Sequence, residues 1–183
     1  MRKAFLLLAV ATGIMVACTD NTNQTAATEQ KDGDTTAAVT ENKQERNKKV
    51  VMASMDGIAS RNVDQMLQDA TPDCVDYGDG SMPPVKGRDS VKPMIQAWLN
   101  AFPDVKGENL KYVADGDWVM VWGDWSGTFK NDFMGMKATG KSYKMKDVDI
   151  FKMNDEGKIT EHHNIQSPNT MMAQIGAKPP QKK

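Results

Sequence analysis

The strongest constraint on the fold is a pair of long segments in which apolar and polar residues alternate. They run from Trp118 to Phe129 and from Ser142 to Asn154. Alternation with a period of two over this length is typical of β-strands, and the sequence Asp-Gly-Asp at 115–117 is a hairpin-turn signal. Shorter strand patterns at 110–114 and 158–166 flank the two segments. The second half of the chain therefore predicts an antiparallel meander.

The first half of the folded region has helical periodicity instead. Apolar residues recur every three or four positions from Val50 to Ala59 and from Met94 to Phe102. A short helix between them is predicted to be capped by Asn62, with Gln65 as its capping-box partner. Helices that precede a run of strands indicate an α+β fold. We expect a curved antiparallel sheet wrapped around N-terminal helices, in one domain over residues 46–177.

The N-terminus has the pattern of an export signal. Two basic residues precede the uncharged run from Ala4 to Ala17, which is too short to span a bilayer stably. The end of this run, Met15 to Cys18, resembles the lipobox of bacterial lipoproteins, in which the cysteine is lipidated and becomes the mature N-terminus. We expect residues 1–17 to be a signal peptide and Cys18 to anchor the exported protein by lipid in the bacterial cell envelope. The alternative is an ordinary export signal with an incidental cysteine.

Polar segments flank the predicted domain on both sides. The stretch 19–45 contains no aromatic residue and no Leu, Ile or Met. Such a segment cannot bury enough apolar surface to offset the entropy cost of ordering it. We predict a disordered tether over residues 18–45 and a disordered tail over residues 178–183.

Charge and motif content argue against several function classes. A formal net charge of −1 disfavours electrostatic binding of nucleic acid. The sequence has no P-loop, no GxGxxG and no GxSxG motif, and two cysteines are too few for a disulfide framework or a Cys-rich zinc site. The adjacent His162 and His163 point to opposite faces of a strand, so they do not easily share a metal ion. We expect no cofactor and no metal.

A series of short motifs in the second half resembles one known family. The motifs are AFPD at 101–104, GDWVMV at 116–121, GTF at 127–129, TGK at 139–141, VDIFK at 148–152, GKITE at 157–161 and MMAQIGA at 171–177. Their order and spacing are similar to the SnoaL-like polyketide cyclase, or ester cyclase, branch of the nuclear transport factor 2-like superfamily. The resemblance implies a cone-shaped α+β barrel with a cavity at its open end. Such a cavity suits a small, mostly apolar ligand.

The resemblance also implies where the chemistry of the family would occur, and there the sequence departs from the family. Cyclases of this family use an aspartate near the start of the last helix as general acid and base, close to a tryptophan and often a histidine. These three positions fall on Ser167, His163 and Tyr77. Because serine cannot shuttle a proton near neutral pH without an adjacent base, cyclase activity here requires other residues.

His163 is the strongest candidate for a general base, because an imidazole titrates near neutral pH. Counting by twos from Ile159 places His163 on a partly apolar strand face, and Asp149 lies on the neighbouring strand among apolar side chains. We predict that Asp149 and His163 are partners, either in a structural hydrogen bond or, with Tyr77, as a catalytic group. The residues expected to line the ligand site are Trp98, Trp122, Tyr143, Met145, Phe151 and Ser167.

The sequence supports three functions. The first is a membrane-anchored domain that binds a small, mostly apolar molecule without turnover. The second is a cyclase, isomerase or hydratase-type enzyme that transfers protons, with His163 as base and Asp149 or Tyr77 assisting. The third is an interaction module that forms a homodimer through its sheet, because both faces of the strand at 118–129 carry apolar residues.

Overall fold

The structure is a computed structural model that describes residues 32–166 and 168–177. Within these ranges the chain forms four helices and six strands. The helices are α1 (Asp32–Ala59), α2 (Val63–Leu67), α3 (Arg88–Ala101) and α4 (Pro168–Ile175). The strands are β1 (Ala70–Asp76), β2 (Val85–Lys86), β3 (Lys106–Asp115), β4 (Trp118–Thr128), β5 (Ser142–Met153) and β6 (Ile159–Ile165).

All six strands belong to one sheet, in the order β2-β1-β6-β5-β4-β3. The β3–β4, β4–β5 and β5–β6 pairs are antiparallel, as the meander predicts. Asp115 pairs with Trp118, so the hairpin turn lies where the sequence placed it. One pair differs from the expected arrangement, because β1 runs parallel to β6. A strand from the helical half thereby continues the sheet at the edge of the meander.

Helices pack against the sheet: α1 on β3 and β4, α3 on β1, and α4 on β5. The strands alternate accordingly, and β4 buries Val119, Val121, Gly123 and Trp125 while the residues that alternate with them are more exposed. On β5 the buried face includes Phe151 and Met153. We call the side of the sheet that carries these buried residues the inner face and the opposite side the outer face. The hydrophobic core lies against the inner face.

Helix α1 begins earlier than the sequence predicts. The predicted tether extends to residue 45, but the helix starts at Asp32. The Nζ of Lys43 lies 2.7 Å from a carboxylate oxygen of Asp117 and 2.9 Å from one of Asp155. These aspartates belong to the turns that follow β3 and β5. Ion pairs of Lys43 thus join the helix to the domain ahead of the predicted boundary at residue 46.

Several predictions concern residues outside the described ranges. These are the signal peptide, Cys18 and the tether up to residue 31, together with Ser167 and the tail at 178–183. Lipidation of Cys18 therefore stays a prediction. Among residues 32–166 and 168–177, no helix combines the length and the apolar character needed to cross a bilayer.

Candidate functional site

A chain of hydrogen-bonded polar side chains lies on the inner face, where β1, β6 and β5 are neighbours. It runs from Asp76 through His162, Asp149 and Asn164 to Asp147. Strand pairing creates it, because Asp76 lies opposite His162 and Asp149 lies opposite Asn164. We call these five residues the inner cluster. Polar groups on a face that is otherwise apolar need partners, and the cluster supplies most of them.

His162 lies between two carboxylates. Its Nδ1 is 3.2 Å from Oδ2 of Asp76, and its Nε2 is 3.3 Å from Oδ1 of Asp149. Burial disfavours the charged imidazole, but the hydrogen bonds to Asp149 and Asp76 outweigh burial and raise the pKa of His162 to about 10. His162 is therefore an imidazolium at neutral pH, and both of its nitrogens are engaged by the protein. Its side chain is 27% exposed, so solvent reaches the cluster.

Asn164 joins the other two carboxylates. Its Nδ2 donates to Oδ2 of Asp147 at 2.9 Å and to Oδ1 of Asp149 at 3.1 Å. Because both neighbours are acceptors, they fix the amide with its nitrogen toward them. Burial raises the pKa of Asp147 to about 6; the hydrogen bond from Asn164 opposes this rise and the charge of Asp149 adds to it. Asp147 can thus exchange a proton near neutral pH.

Two acceptors of the inner cluster have no hydrogen-bond partner among the described residues. They are Oδ2 of Asp149 and the amide oxygen Oδ1 of Asn164, and both atoms are buried. Asp149 as a whole is 7% exposed. A buried acceptor without a partner costs about 1–3 kcal/mol, so such atoms mark places where a ligand can supply the missing donor.

The predicted pairing of Asp149 with His163 is wrong. His163 lies on the outer face, where its Nε2 is 3.2 Å from Oε2 of Glu161. Its ring stacks on Tyr77, with ring centroids 4.6 Å apart and an angle of 1° between the planes. The predicted set of His163, Asp149 and Tyr77 is thus divided, with only Asp149 on the inner face.

A β-bulge in β6 explains this error. Ile159 pairs with Met153, but the next pair joins Glu161 to Lys152, so the register shifts by one residue. The extra residue is Thr160, whose hydroxyl donates to the carbonyl oxygen of Lys152. A bulge reverses the alternation of side chains beyond it. The first histidine of the adjacent pair consequently faces inward, and the second faces outward.

The residues predicted to line the ligand site also divide between the two faces. Tyr143, Met145 and Phe151 share the inner face of β5 with the inner cluster, and Tyr143 and Phe151 are buried there. Trp98 is half-buried on α3 and packs against the core. Trp122 does not join the other predicted ligand residues on the inner face. It is 47% exposed on the outer face of β4.

The outer face of the sheet exposes much apolar surface. The large apolar residues that are more than a third exposed there are Tyr77, Val113, Trp118, Met120, Trp122 and Ile165. A groove of about 430 Å³ beside His163 is lined by several of them. Exposed apolar side chains that adjoin in this way are typical of contact surfaces.

Four members of the inner cluster were not predicted from the sequence as site residues: Asp76, Asp147, His162 and Asn164. Asn164 is two residues beyond His162, so a strand places both on one face. Asp76 carries no comparable signal, because its contact with His162 depends on the parallel pairing of β1 with β6. Within the described part of the chain, no group of three or more His, Cys, Asp or Glu side chains is arranged to hold a metal ion.

The fold and the inner cluster define an α+β domain in which helices pack on a mixed six-stranded sheet that carries a polar site on its inner face. The chain belongs to the SnoaL-like polyketide cyclase family, whose family model matches residues 48–175. No curated protein matches the sequence.

Solved structures share this fold. A protein assigned as a polyketide cyclase from Xanthomonas campestris pv. campestris has a TM-score of 0.66 at 20% identity, covering 73% of this chain and 98% of that one. A protein assigned as a SnoaL-like polyketide cyclase from Jannaschia sp. CCS1 has a TM-score of 0.65 at 23% identity, covering 74% and 95%. IdmH from Streptomyces antibioticus, also assigned as a polyketide cyclase, has a TM-score of 0.58 at 25% identity, covering 71% and 98%. The predicted α+β class and cone-type fold are confirmed.

Proposed function

We propose that the domain binds a small, mostly apolar molecule on the inner face of the sheet, with the polar end of that molecule at the inner cluster. The observation that carries this proposal is the buried Oδ2 of Asp149, an acceptor that has no hydrogen-bond partner among the described residues. Tyr143, Met145 and Phe151 provide apolar surface on the same face of the strand. The partial exposure of His162 supports access from solvent. Membership of the SnoaL-like family supports the same assignment.

Ligand binding should raise the melting temperature of the protein in a saturable way. The measurement is thermal unfolding against increasing concentrations of neutral aromatic and alicyclic alcohols. Met145→Phe adds volume on the inner face and should reduce the rise given by a compound that binds. Met120→Phe makes the same exchange on the outer face and should leave that rise unchanged. A rise that is equal in both variants and in the unsubstituted protein would place binding elsewhere.

A second candidate function is proton transfer, which the pKa of about 6 for Asp147 favours. In this scheme Oδ2 of Asp149 removes a proton from a carbon next to a carbonyl group, and the electron pair moves to the carbonyl oxygen as an enolate. The His162 imidazolium stabilises the negative charge through space, and Asp147 is the group able to return a proton. The base is then Asp149 rather than His163, because His163 lies on the outer face.

Proton transfer can be measured as exchange of the α-hydrogens of 2-tetralone in deuterated water, followed by nuclear magnetic resonance. Asp149→Asn should lower the protein-catalysed rate by about a hundredfold, a usual contribution of a general base. His163→Ala should leave the rate unchanged. A rate that survives Asp149→Asn would eliminate this candidate and leave ligand binding as the function.

We also propose that the protein is exported and attached to the bacterial cell envelope by lipid on Cys18. The support is the uncharged segment that ends at this cysteine. Several acyl chains on one residue give stable attachment, whereas one chain is only marginal. Cys18→Ser should therefore move the protein from the membrane fraction to the soluble fraction, and an unchanged distribution would contradict the proposal.

The exposed outer face supports a further proposal, that two copies of the domain pair through their sheets. The exposed side chains come from neighbouring strands and form rows, such as Val113 beside Met120, which in turn lies beside the half-buried Ile150. A second copy of the same face would remove this apolar surface from water. Binding on the inner face and pairing through the outer face are compatible, because they use opposite sides of the sheet.

A further inference from the structure

The inner cluster carries more negative than positive charge. Its three carboxylates belong to Asp76, Asp147 and Asp149. Among the described residues, His162 is the one cationic side chain that hydrogen-bonds to any of them. One imidazole thus hydrogen-bonds to two of the three carboxyl groups in the cluster, and the third is bonded to the uncharged amide of Asn164.

Two phenols on the inner face experience the same excess of negative charge. Burial raises the pKa of Tyr112, and the charges of Asp56 and Asp149 raise it further. Burial also raises the pKa of Tyr143, and the charge of Asp147 is the largest addition from a neighbouring carboxylate. Carboxylates of the cluster thus add to the effect of burial on both phenols.

The buried atoms of the cluster that lack partners are acceptors. Oδ2 of Asp149 and Oδ1 of Asn164 can accept hydrogen bonds but cannot donate them while Asp149 is ionised. They belong to residues that lie directly opposite each other on β5 and β6. Both nitrogens of His162 are already engaged. At these two atoms a ligand donor would meet two acceptors, whereas the unpartnered buried donor of the inner face, Nε1 of Trp125, belongs to β4.

We propose that the ligand carries a protonated amine on its apolar body, and that this ammonium group binds at Oδ2 of Asp149 and Oδ1 of Asn164. The inference rests on the proposed binding of an apolar molecule on the inner face. An ammonium group has three donors, forms charge-assisted hydrogen bonds with carboxylate and lowers the excess negative charge. The aromatic rings of Tyr143 and Phe151 on the same face also attract cations. A hydroxyl group satisfies the acceptors but leaves the charge in place, so the structure favours the amine.

Three compounds with one ring system test this inference: 2-naphthylmethylamine, 2-naphthylmethanol and 2-naphthoic acid. At pH 7.5 they are a cation, a neutral donor and an anion, and their affinities for the full chain can be measured by isothermal titration calorimetry. The amine should bind about tenfold or more tightly than the alcohol, because a hydrogen bond to a charged group is stronger than a neutral one. The acid should bind most weakly. This comparison uses the unsubstituted protein and does not depend on the folding of any variant.

A pair of matched substitutions locates the effect. Asp149→Asn removes the charge at nearly constant size and should remove most of the preference for the amine over the alcohol. Asp124→Asn makes the same change on the outer face of β4 and should keep the preference. If the alcohol binds as tightly as the amine, or if Asp149→Asn leaves the preference intact, the inference is overturned. The proposed function has its own test. It fails if the alcohol also gives no saturable binding, or if Met145→Phe does not weaken that binding.

Discussion

Replacing His162 by glutamine should remove most of the alkaline pH dependence of the protein's stability. The pKa of His162 is about 10 in the folded protein and about 6.5 in an unfolded chain, so the folded state binds more protons between these values. The stabilising contribution of the imidazolium is therefore complete below about pH 6.5 and is lost as the pH rises through 10. Because one pKa unit corresponds to about 1.4 kcal/mol, the contribution is at most about 5 kcal/mol.

Urea unfolding at several pH values between 6 and 9.5 measures this effect. The free energy of unfolding of the unsubstituted protein should fall across this range. That of His162→Gln should be about 3 kcal/mol lower at pH 6, because removing one partner leaves buried carboxylates uncompensated. It should then fall less as the pH rises. His163→Gln is a matched control, since its imidazole is on the outer face and interacts with Glu161. Parallel profiles for the unsubstituted protein and His162→Gln would show that the inner imidazole is not held in its charged form.

Replacing Trp122 by lysine should convert a sheet-paired dimer into a monomer. Trp122 is 47% exposed at the centre of the outer face, and a buried tryptophan in an interface contributes about 2–4 kcal/mol. The dimer dissociation constant should therefore rise by about thirtyfold to a thousandfold. Sedimentation equilibrium over a wide range of protein concentration is the measurement.

Met82→Lys is the control for this experiment. Met82 is 59% exposed in the segment between β1 and β2, so the substitution adds the same charge at an exposed apolar residue outside the sheet. It should leave the dissociation constant unchanged. A protein that stays monomeric at the highest concentrations before any substitution would refute pairing through the outer face, and binding on the inner face would be unaffected.

Local sequence patterns predicted the parts of the fold that depend on neighbouring residues. Asn62 caps α2, and its side chain accepts a hydrogen bond from the backbone nitrogen of Gln65 at 3.1 Å, as the capping pattern predicts. Alternation along β5 correctly placed Asp149 among apolar side chains, on the same face as Phe151. These features follow from the period of a strand and the chemistry of a helix start, which are both encoded within a few residues.

The features that were missed depend on contacts between distant parts of the chain. The inward direction of His162 depends on how β6 aligns with β5, and its contact with Asp76 depends on the parallel approach of β1. The early start of α1 likewise involves Lys43 and turns more than seventy residues away. No window of neighbouring residues contains these partners. Periodicity could therefore place the site on the sheet but could not show which of the two histidines belongs to it.

One inserted residue in β6 decides which of two consecutive imidazoles enters the protein. Deleting Thr160 would remove the bulge and keep His162 opposite Phe151, whereas pairing Thr160 in regular alternation would exchange the two rings between the inner and outer faces. Two chains with the same consecutive histidines would present different ones to a ligand if one of them forms the bulge and the other pairs the same residue regularly. When this domain is aligned with others, the position of the bulge must be compared before a histidine is assigned a role.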